Sequence, residues 1–454
     1  MAIATARPIG LRPQRRRLWA SREAFLVDLV VAIFGLAGAF SVDLVGSFPG
    51  NELLVVPLLP LLLLYRGSRA FKREYFWFYV LVGGWLLGTI VADIYTGSPM
   101  LNRMKGTARV IFFALNFMAL AILIGNNTRR IVIFIGTIAI VMFTISMAFR
   151  GDANVMWKFG LGNALAVGIL LISSQFYARK KYWICVLISV GLAALNLNFG
   201  FRSQLVVHLV SGVLLAPLFV KSPAKPGGGR SRQGSSRVLL LLALAGGAAF
   251  AANALIKYAA ERGFFDESLQ LKFEQQAAGD YGVLVGGRPE TLVALQAIRD
   301  SPILGHGSYP VDRKYLELRQ DIQYEHGYSE SDEAEDQESP VIPTHSHLTM
   351  AWVESGILGG ICWIYLLVLT LRGLLGLGYL RPNLMPLYCY LLVGFVWDIL
   401  YSPFGSVNRL WAAFFILLSY NILSEASERK GSILPRRRVI YQPSRRPLRL
   451  SGAI

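Results

Sequence analysis

Charged side chains are scarce in this sequence. Asp, Glu, Lys and Arg make up only 16% of the 454 residues, whereas 54% are apolar and the mean hydropathy is +0.47. A soluble chain of this length would form two or three domains with charged surfaces, and the composition excludes that class. Since an apolar run of about 20 residues crosses a bilayer as a helix, the composition predicts an all-α membrane protein with many spans.

Cysteine is also rare. Cys185, Cys362 and Cys389 all lie inside apolar stretches, and an odd number there forms no disulfide framework. The formal net charge of +17 would suggest a nucleic-acid partner for a soluble protein. In a membrane protein the same excess arises because Lys and Arg collect on cytoplasmic loops, where they also attract anionic lipids. We therefore expect membrane lipids as partners and no nucleic acid.

Twelve apolar windows predict twelve transmembrane helices. The windows lie at about 24–42, 52–65, 75–95, 107–124, 131–149, 154–177, 182–197, 203–220, 238–256, 347–371, 384–401 and 410–424. Every second connection is basic, which assigns those connections and both termini to the cytoplasm. The predicted organisation is a basic tail at 1–23, helices 1–9 at 24–256, an outer loop at 257–344, helices 10–12 at 345–424 and a second basic tail at 425–454.

The connection at 257–344, between predicted helices 9 and 10, is the one large loop. It holds 17 acidic and 8 basic residues, and the alternation of loops assigns it to the outer side, which is the periplasm of a Gram-negative cell or its equivalent. Leu292, Leu295 and Ile298 recur at helical spacing, which predicts a short helix that ends at Ser301. The acidic run 330–338 has no apolar periodicity and is typical of a solvated loop whose role the sequence does not give.

Several cations lie on the outer side, where this orientation rule does not expect them. A guanidinium at the end of a span is costly unless it faces water, snorkels to the headgroups or pairs with an anion. For one arginine snorkelling is an equal alternative, but a group of them favours a shared anionic ligand, and the guanidinium fork suits phosphate. The residues are Arg103, Lys105, Arg150, Arg202, Arg288 and Arg409.

His345 and His347 stand where the outer loop returns to the membrane, and Glu354 follows in the tenth window. A neutral imidazole can take a proton from a hydroxyl near neutral pH. The alternatives are interfacial polar histidines and, for Glu354, a satisfied interior carboxylate. A metal site is not expected, because residues two apart point to different faces of a helix and no third ligand is nearby.

These features form an ordered set that resembles the O-antigen ligase and polymerase family of membrane glycosyltransferases. The resemblance is strongest over about 185–370, and the chain departs from the family pattern at Phe201 and Ser346, where Ser and Asn are common. The set comprises Arg202 at a helix junction, Arg288 before a helix that runs into Pro302-Ile303-Leu304-Gly305-His306-Gly307, and His345 followed nine and eleven residues later by Glu354 and Gly356.

The resemblance implies an inverting, metal-independent glycosyltransferase without a cofactor. Its donor would be a glycan on undecaprenyl diphosphate, and its acceptor a sugar on a lipid-anchored core or another glycan, at a site that faces the periplasm. Arg202, Arg288 and His345 would be catalytic: the arginines bind the diphosphate, and His345 is the base. Arg103, Lys105, Arg150, Arg409, His347 and Glu354 are the candidate substrate-binding residues.

Two alternatives remain open. Within the family, a ligase that transfers finished glycan onto lipopolysaccharide core and a polymerase that joins repeat units of a surface polysaccharide share the same signature. From another class, a twelve-helix transporter of polysaccharide or lipid would use acids in its spans, such as Asp28, Asp93 and Asp398, as coupling sites. Transporters usually have repeated halves and midplane sites, and neither feature stands out in this sequence.

Overall fold

A computed structural model describes residues 12–43, 46–148, 153–216, 289–325, 341–380 and 382–433, with a few isolated positions between 246 and 262. Helices dominate these ranges. Because lipid offers no hydrogen bonds, an apolar chain in a bilayer must pair its backbone groups within itself, and helices do so. The helices that precede the outer loop are α1 Arg12–Gly38, α2 Gly50–Arg66, α3 Phe76–Thr96, α4 Met100–Leu123, α5 Thr128–Ala148, α6 Ala153–Met156, α7 Gly162–Ala178, α8 Tyr182–Asn198 and α9 Arg202–Leu215.

The second group of helices begins within the outer loop and continues through the last predicted spans. It comprises α10 Pro289–Asp300, α11 Arg313–Glu325, α12 His347–Leu380, α13 Met385–Tyr401 and α14 Ser406–Ile433. Two short antiparallel strands, β1 Ser41–Asp43 and β2 Ser47–Pro49, join α1 to α2. The first predicted window is therefore wrong at its end: it runs to residue 42, but α1 ends at Gly38 and Ser41 pairs with Pro49.

Six helical segments in the described ranges are long and apolar enough to cross a membrane, so the chain is a helical membrane protein. Helices α7, α8, α9 and α13 are apolar and shorter. A helix lies over each predicted window except 238–256, most of which is outside the described residues. The six segments are Gly50–Arg69, Arg73–Thr96, Met100–Leu123, Thr128–Ala148, His347–Gly378 and Ser406–Arg429.

Aromatic side chains fill the centre of the bundle. The ring of Trp363 on α12 stacks on Phe113 of α4 at 5.9 Å and meets Trp85 of α3 edge-on at 5.8 Å, and all three are buried. Within lipid, helices associate through close packing rather than through exclusion of water. These rings therefore fix how α3, α4 and α12 lie against one another.

The ends of α3 and α13 and the starts of α4, α12 and α14 lie at one end of the bundle, which we call the motif end. At the opposite end, Arg130 of α5 donates to Asp28 of α1 at 3.0 Å, and Asn421 of α14 donates to the carbonyl of Gly125 at 2.6 Å. Both contacts join segments distant in sequence. Buried hydrogen bonds thus hold the helices together at this end, and the middle of the bundle stays apolar.

Gly88 lets α3 approach α12. A Cβ at this position would lie 2.7 Å from the carbonyl oxygen of Ser355 and 3.1 Å from Cβ of Leu358. We expect Gly88→Ala to destabilise the protein by about 1–3 kcal/mol, the usual cost of overpacking, because the blocking oxygen belongs to the backbone. The measurement is the thermal unfolding midpoint in detergent.

Gly84, one turn earlier on the same helix, is the matched control. A Cβ there meets nothing within 4 Å, and alanine favours a helix over glycine by about 1 kcal/mol. Gly84→Ala should therefore leave the midpoint unchanged or raise it. Equal losses in the two variants would show that the close approach of α3 and α12 does not limit stability.

Candidate active site at the motif end

The glycine-rich run after α10 packs directly on the start of α12. Residues 301–309, which we call the docking turn, make three backbone hydrogen bonds to α12. The amide of His306 donates to the carbonyl of Val353 at 2.7 Å, that of Gly307 to Glu354 at 3.0 Å, and that of Ile357 to Ile303 at 3.1 Å. The two segments singled out in the sequence, far apart along the chain, are thus held side by side.

A kink in α12 makes this docking possible. Gly356 has φ 61° and ψ −153°, which is not helical and lies in a region that L side chains rarely adopt. The break frees the carbonyls of Val353 and Glu354 from the helix, so that they accept hydrogen bonds from the docking turn instead. A Cβ at Gly356 would lie 1.9 Å from the carbonyl oxygen of Ile303, and one at Gly305 would lie 2.5 Å from the amide of Gly356. Neither position has room for a side chain.

A buried ion pair lies beneath the docking turn. Nη1 of Arg109, on α4, donates to Oε2 of Glu354 at 2.6 Å, and the two residues are only 3% and 6% exposed. The ring of Tyr309 covers the guanidinium at 4.4 Å, and the Tyr309 amide donates to Oε1 of Glu354 at 3.4 Å. Glu354 is thus an interior carboxylate with partners on both oxygens.

Arg109 was missed by the sequence reasoning, although a signal existed. It lies inside the fourth predicted window, 107–124, and an ionisable group within a span is itself a sign of a partner or a function. The charge rule of the loops marks cations outside the spans, so it does not mark Arg109. Its partner, Glu354, was singled out only through the resemblance and its interior position.

Asp93 and Thr89 of α3 hold the same region from another side. Asp93 accepts hydrogen bonds from the amide of Ser308 at 2.6 Å and from its hydroxyl at 2.8 Å. The hydroxyls of Thr89 and Ser355 share a hydrogen bond of 2.8 Å. Asp93, one of the acids that a transporter would use for coupling, is therefore engaged with the docking turn.

The two histidines at the start of α12 differ sharply. His345 is exposed, in the extended segment just before the helix. His347 is buried: its Nδ1–H donates to the carbonyl of Ser402 at 2.6 Å, and its ring lies 4.9 Å from those of Trp363 and Phe404. The contacts of His347 give no support to the expectation that it binds substrate, because its ring is enclosed by the protein's own side chains.

Arg202 is the first residue of α9, and the packing of α9 on α13 brings it to the motif end. The ring of His208 stacks on Tyr390 at 4.7 Å, and a Cβ at Gly394 would lie 3.9 Å from Val207. From that contact Arg202 lies about 7.5 Å along α9, and Tyr401 about 10 Å along α13, at 1.5 Å per residue. The two helices are antiparallel, so Arg202 and the end of α13 lie at similar positions along the axis of the bundle.

The end of α13 also anchors the segment that carries His345. The hydroxyl of Ser346 donates to the carbonyl of Ile399 at 2.9 Å. The segment that carries His345 is therefore attached to the end of α13, and Arg202 lies at the same end of the bundle, on the neighbouring helix α9. Arg288 and Arg150 lie outside the described residues, so their places relative to this pair are not assigned.

The remaining predicted cations have partners within the protein. Arg103 Nε donates to the carbonyl of Ser98 at 2.5 Å, and the ammonium of Lys105 lies 6.0 Å from the ring of Tyr309. Arg409 makes a paired contact with Glu52 of α2, through Nε and Nη2 at 2.6 Å each. Since its fork is engaged inside the bundle, the expectation that Arg409 binds substrate finds no support in these contacts.

Helices α10 and α11 form a small outer layer on the start of α12. Tyr315 of α11 is buried with Ile342, Val353 and residues of α10. Asp300, at the end of α10, accepts hydrogen bonds from Lys314 at 2.6 Å and from Tyr315 at 2.7 Å, and these donors lower the pKa of its carboxyl. This layer holds the docking turn from the outside.

Within the described ranges, no three His, Cys, Asp or Glu side chains are grouped closely enough to hold a metal ion. Comparison of the chain with protein-family models, curated proteins and solved structures finds no match. The arrangement of residues at the motif end therefore carries the functional argument.

The Arg409–Glu52 pair predicts a strong stability effect. Glu52→Gln leaves a buried guanidinium without its counter-charge, which costs about 3–5 kcal/mol. The double variant Glu52→Gln/Arg409→Gln removes both charges and should lose clearly less stability than the single one. Thermal unfolding in detergent measures both.

Glu425→Gln serves as the control, because Glu425 forms an exposed pair with Arg429 one turn away on α14. Such pairs contribute about 0.2–0.5 kcal/mol, so its midpoint should hardly move. If the double variant were as unstable as Glu52→Gln alone, the charge imbalance would not be the cause of the loss.

Proposed function

We propose that this protein is a glycosyltransferase that moves a glycan from a polyprenyl diphosphate to an acceptor sugar, in the manner of the O-antigen ligase family. One observation carries the proposal. The docking turn and the kinked start of α12, which contain the family-like motifs, are hydrogen-bonded to each other at the end of the bundle that also bears His345 and Arg202.

The proposed reaction is a single displacement. His345, which is exposed at the motif end, takes the proton of an acceptor hydroxyl while that oxygen attacks the anomeric carbon. A new glycosidic C–O bond forms as the C–O bond to the diphosphate breaks, and the lipid diphosphate leaves with the electron pair. Attack from the opposite face inverts the anomeric centre.

Arg202 supplies positive charge for the leaving diphosphate. The charge on that group grows as the bond breaks, and donors fixed in advance stabilise it at little reorganisation cost. The resemblance assigns the same role to Arg288. The donor is activated by its own diphosphate, so the proposed step needs no nucleotide.

The proposal includes a membrane arrangement: twelve spans in a bacterial inner membrane, both termini in the cytoplasm and the motif end in the periplasm. It is supported by the basic connections on one side, including Arg129 and Arg130, and by the acidic outer loop. A periplasmic site suits a glycan that has already crossed the membrane on its lipid.

A transporter is the second candidate, and one observation favours it. His208 is buried midway along α9, and neither of its ring nitrogens has a hydrogen-bond partner among the described residues. Ionisable groups within a span often mark a transport path. We rank this candidate lower because the ring of His208 stacks on Tyr390 inside the bundle, whereas the motif end gathers several groups suited to transfer.

The direct test is transfer by purified protein given a polyprenyl-diphosphate oligosaccharide and candidate acceptors. We expect His345→Ala to lower the rate about 100-fold or more, the range for loss of a general base. A ladder of products would indicate a polymerase, and a single addition a ligase. His326→Ala, another histidine of the outer loop, is the matched control and should retain transfer.

Near-normal transfer by His345→Ala would refute its role as the base. Substrate flux into vesicles without any glycosidic product from the wild-type protein would instead favour the transporter. These outcomes are distinct, because one concerns the rate of a chemical step and the other the absence of that step.

A further inference from the structure

We propose that Arg109 is a positioning residue: by holding Glu354, it fixes the kinked start of α12 against the docking turn and so sets the place of His345. The first part of this inference concerns the fold alone. The part that concerns His345 rests on the proposed function.

The first step concerns the independence of the two parts of α12. Because Gly356 is not helical, the helical segment 347–355 does not continue with regular geometry into the rest of α12. Its direction must come from contacts at its sides. These contacts include the hydrogen bonds of Ser346 and His347 to the end of α13 and those of the docking turn. They also include the hydrogen bond between Ser355 and Thr89 of α3 and the ion pair of Glu354.

The second step concerns the segments that the ion pair joins beside the kink. Glu354 is two residues before Gly356, and its carboxylate meets Arg109 on one oxygen and the amide of Tyr309 on the other. It therefore ties three segments together: α12, α4 and the docking turn. A charge-assisted hydrogen bond away from water is the strongest kind available at such a junction.

The third step concerns the support behind Arg109. One turn further along α4, Phe113 is buried between Trp363 and Phe404, with ring centroids at 5.9 and 5.6 Å. Two turns along, Asn116 is hydrogen-bonded to Asn51 at 2.8 Å. The helix that carries Arg109 is thus fixed in the bundle, and the guanidinium is a rigid anchor for Glu354.

The fourth step separates positioning from substrate binding. Arg109 is 3% exposed, and the ring of Tyr309 lies over its guanidinium at 4.4 Å. Arg202, by contrast, is only half-buried at the start of its helix. In this arrangement Arg109 acts on the site through Glu354 and not by contact with a substrate.

The test uses the neutral double variant Arg109→Gln/Glu354→Gln, which removes the ionic tie without leaving a buried charge. Hydrogen exchange followed by mass spectrometry would report on peptides that cover 301–309 and 353–357. We expect faster exchange there, since the amides of His306, Gly307 and Ile357 would lose their partners more often. In transfer assays we expect kcat to fall about 10- to 100-fold, the size of effect that a displacement of about 1 Å produces. The donor KM should stay within about twofold, because the variant does not change the groups that bind the donor.

Asp28→Asn/Arg130→Gln is the matched control, a buried arginine–carboxylate pair at the opposite end of the bundle. It should leave exchange at 301–309 and 353–357 unchanged. Arg109→Lys keeps the positive charge and should retain more protection and more of kcat than Arg109→Gln.

Unchanged exchange in the double variant would overturn the inference. So would a large rise in donor KM with unchanged exchange, which would make Arg109 a substrate ligand. If the wild-type protein transferred no glycan, the proposed function would fail, while the exchange result would still decide whether Arg109 and Glu354 hold the docking turn.

Discussion

A charge inside a membrane protein needs a partner, and this requirement shapes the bundle. The buried arginines of the described ranges, Arg109, Arg130 and Arg409, each face a carboxylate: Glu354, Asp28 and Glu52. Neither member of such a pair can leave the other without exposing an unpaired ion to a medium of low dielectric. The pairs therefore select which helices are neighbours, across separations of 245, 102 and 357 residues.

Two of these pairs lie at the motif end and have different consequences. The Arg409–Glu52 contact joins α14 to α2 near the β hairpin, and it involves Asn116 of α4 through Glu52. The Arg109–Glu354 contact lies at the kink of α12, beside the docking turn. The first is a brace between helices. The second fixes a place where the regular backbone is interrupted, and a membrane protein tolerates such an interruption only where protein covers it or where it lines a water-filled cavity.

The helices were largely predictable because their signal is local. A run of apolar residues shows itself within one window, and the Lys and Arg beside it indicate its direction. The turn at 302–307 and the steps from His345 to Glu354 and Gly356 were also local patterns, and the structure adds that they touch. The hairpin at 41–49 was missed because β1 follows directly on an apolar run and shares its composition.

What the sequence could not provide was the partner of each ion. Arg409 was predicted to bind an anion because it lies on the outer side, where Lys and Arg are not expected. Its sequence neighbours give no sign that its partner is Glu52. His345 and His347 are two residues apart and chemically identical, yet one is exposed and the other enclosed by aromatic rings. Their environments differ because the end of α13 and Phe404 pack against His347.

The kink of α12 divides its 34 residues into two helical pieces. The piece after Gly356, residues 357–380, is about 36 Å long at 1.5 Å per residue, which is enough to cross a hydrocarbon layer of about 30 Å by itself. The shorter piece, residues 347–355, is therefore not needed for the crossing, and the segments packed against it determine its direction.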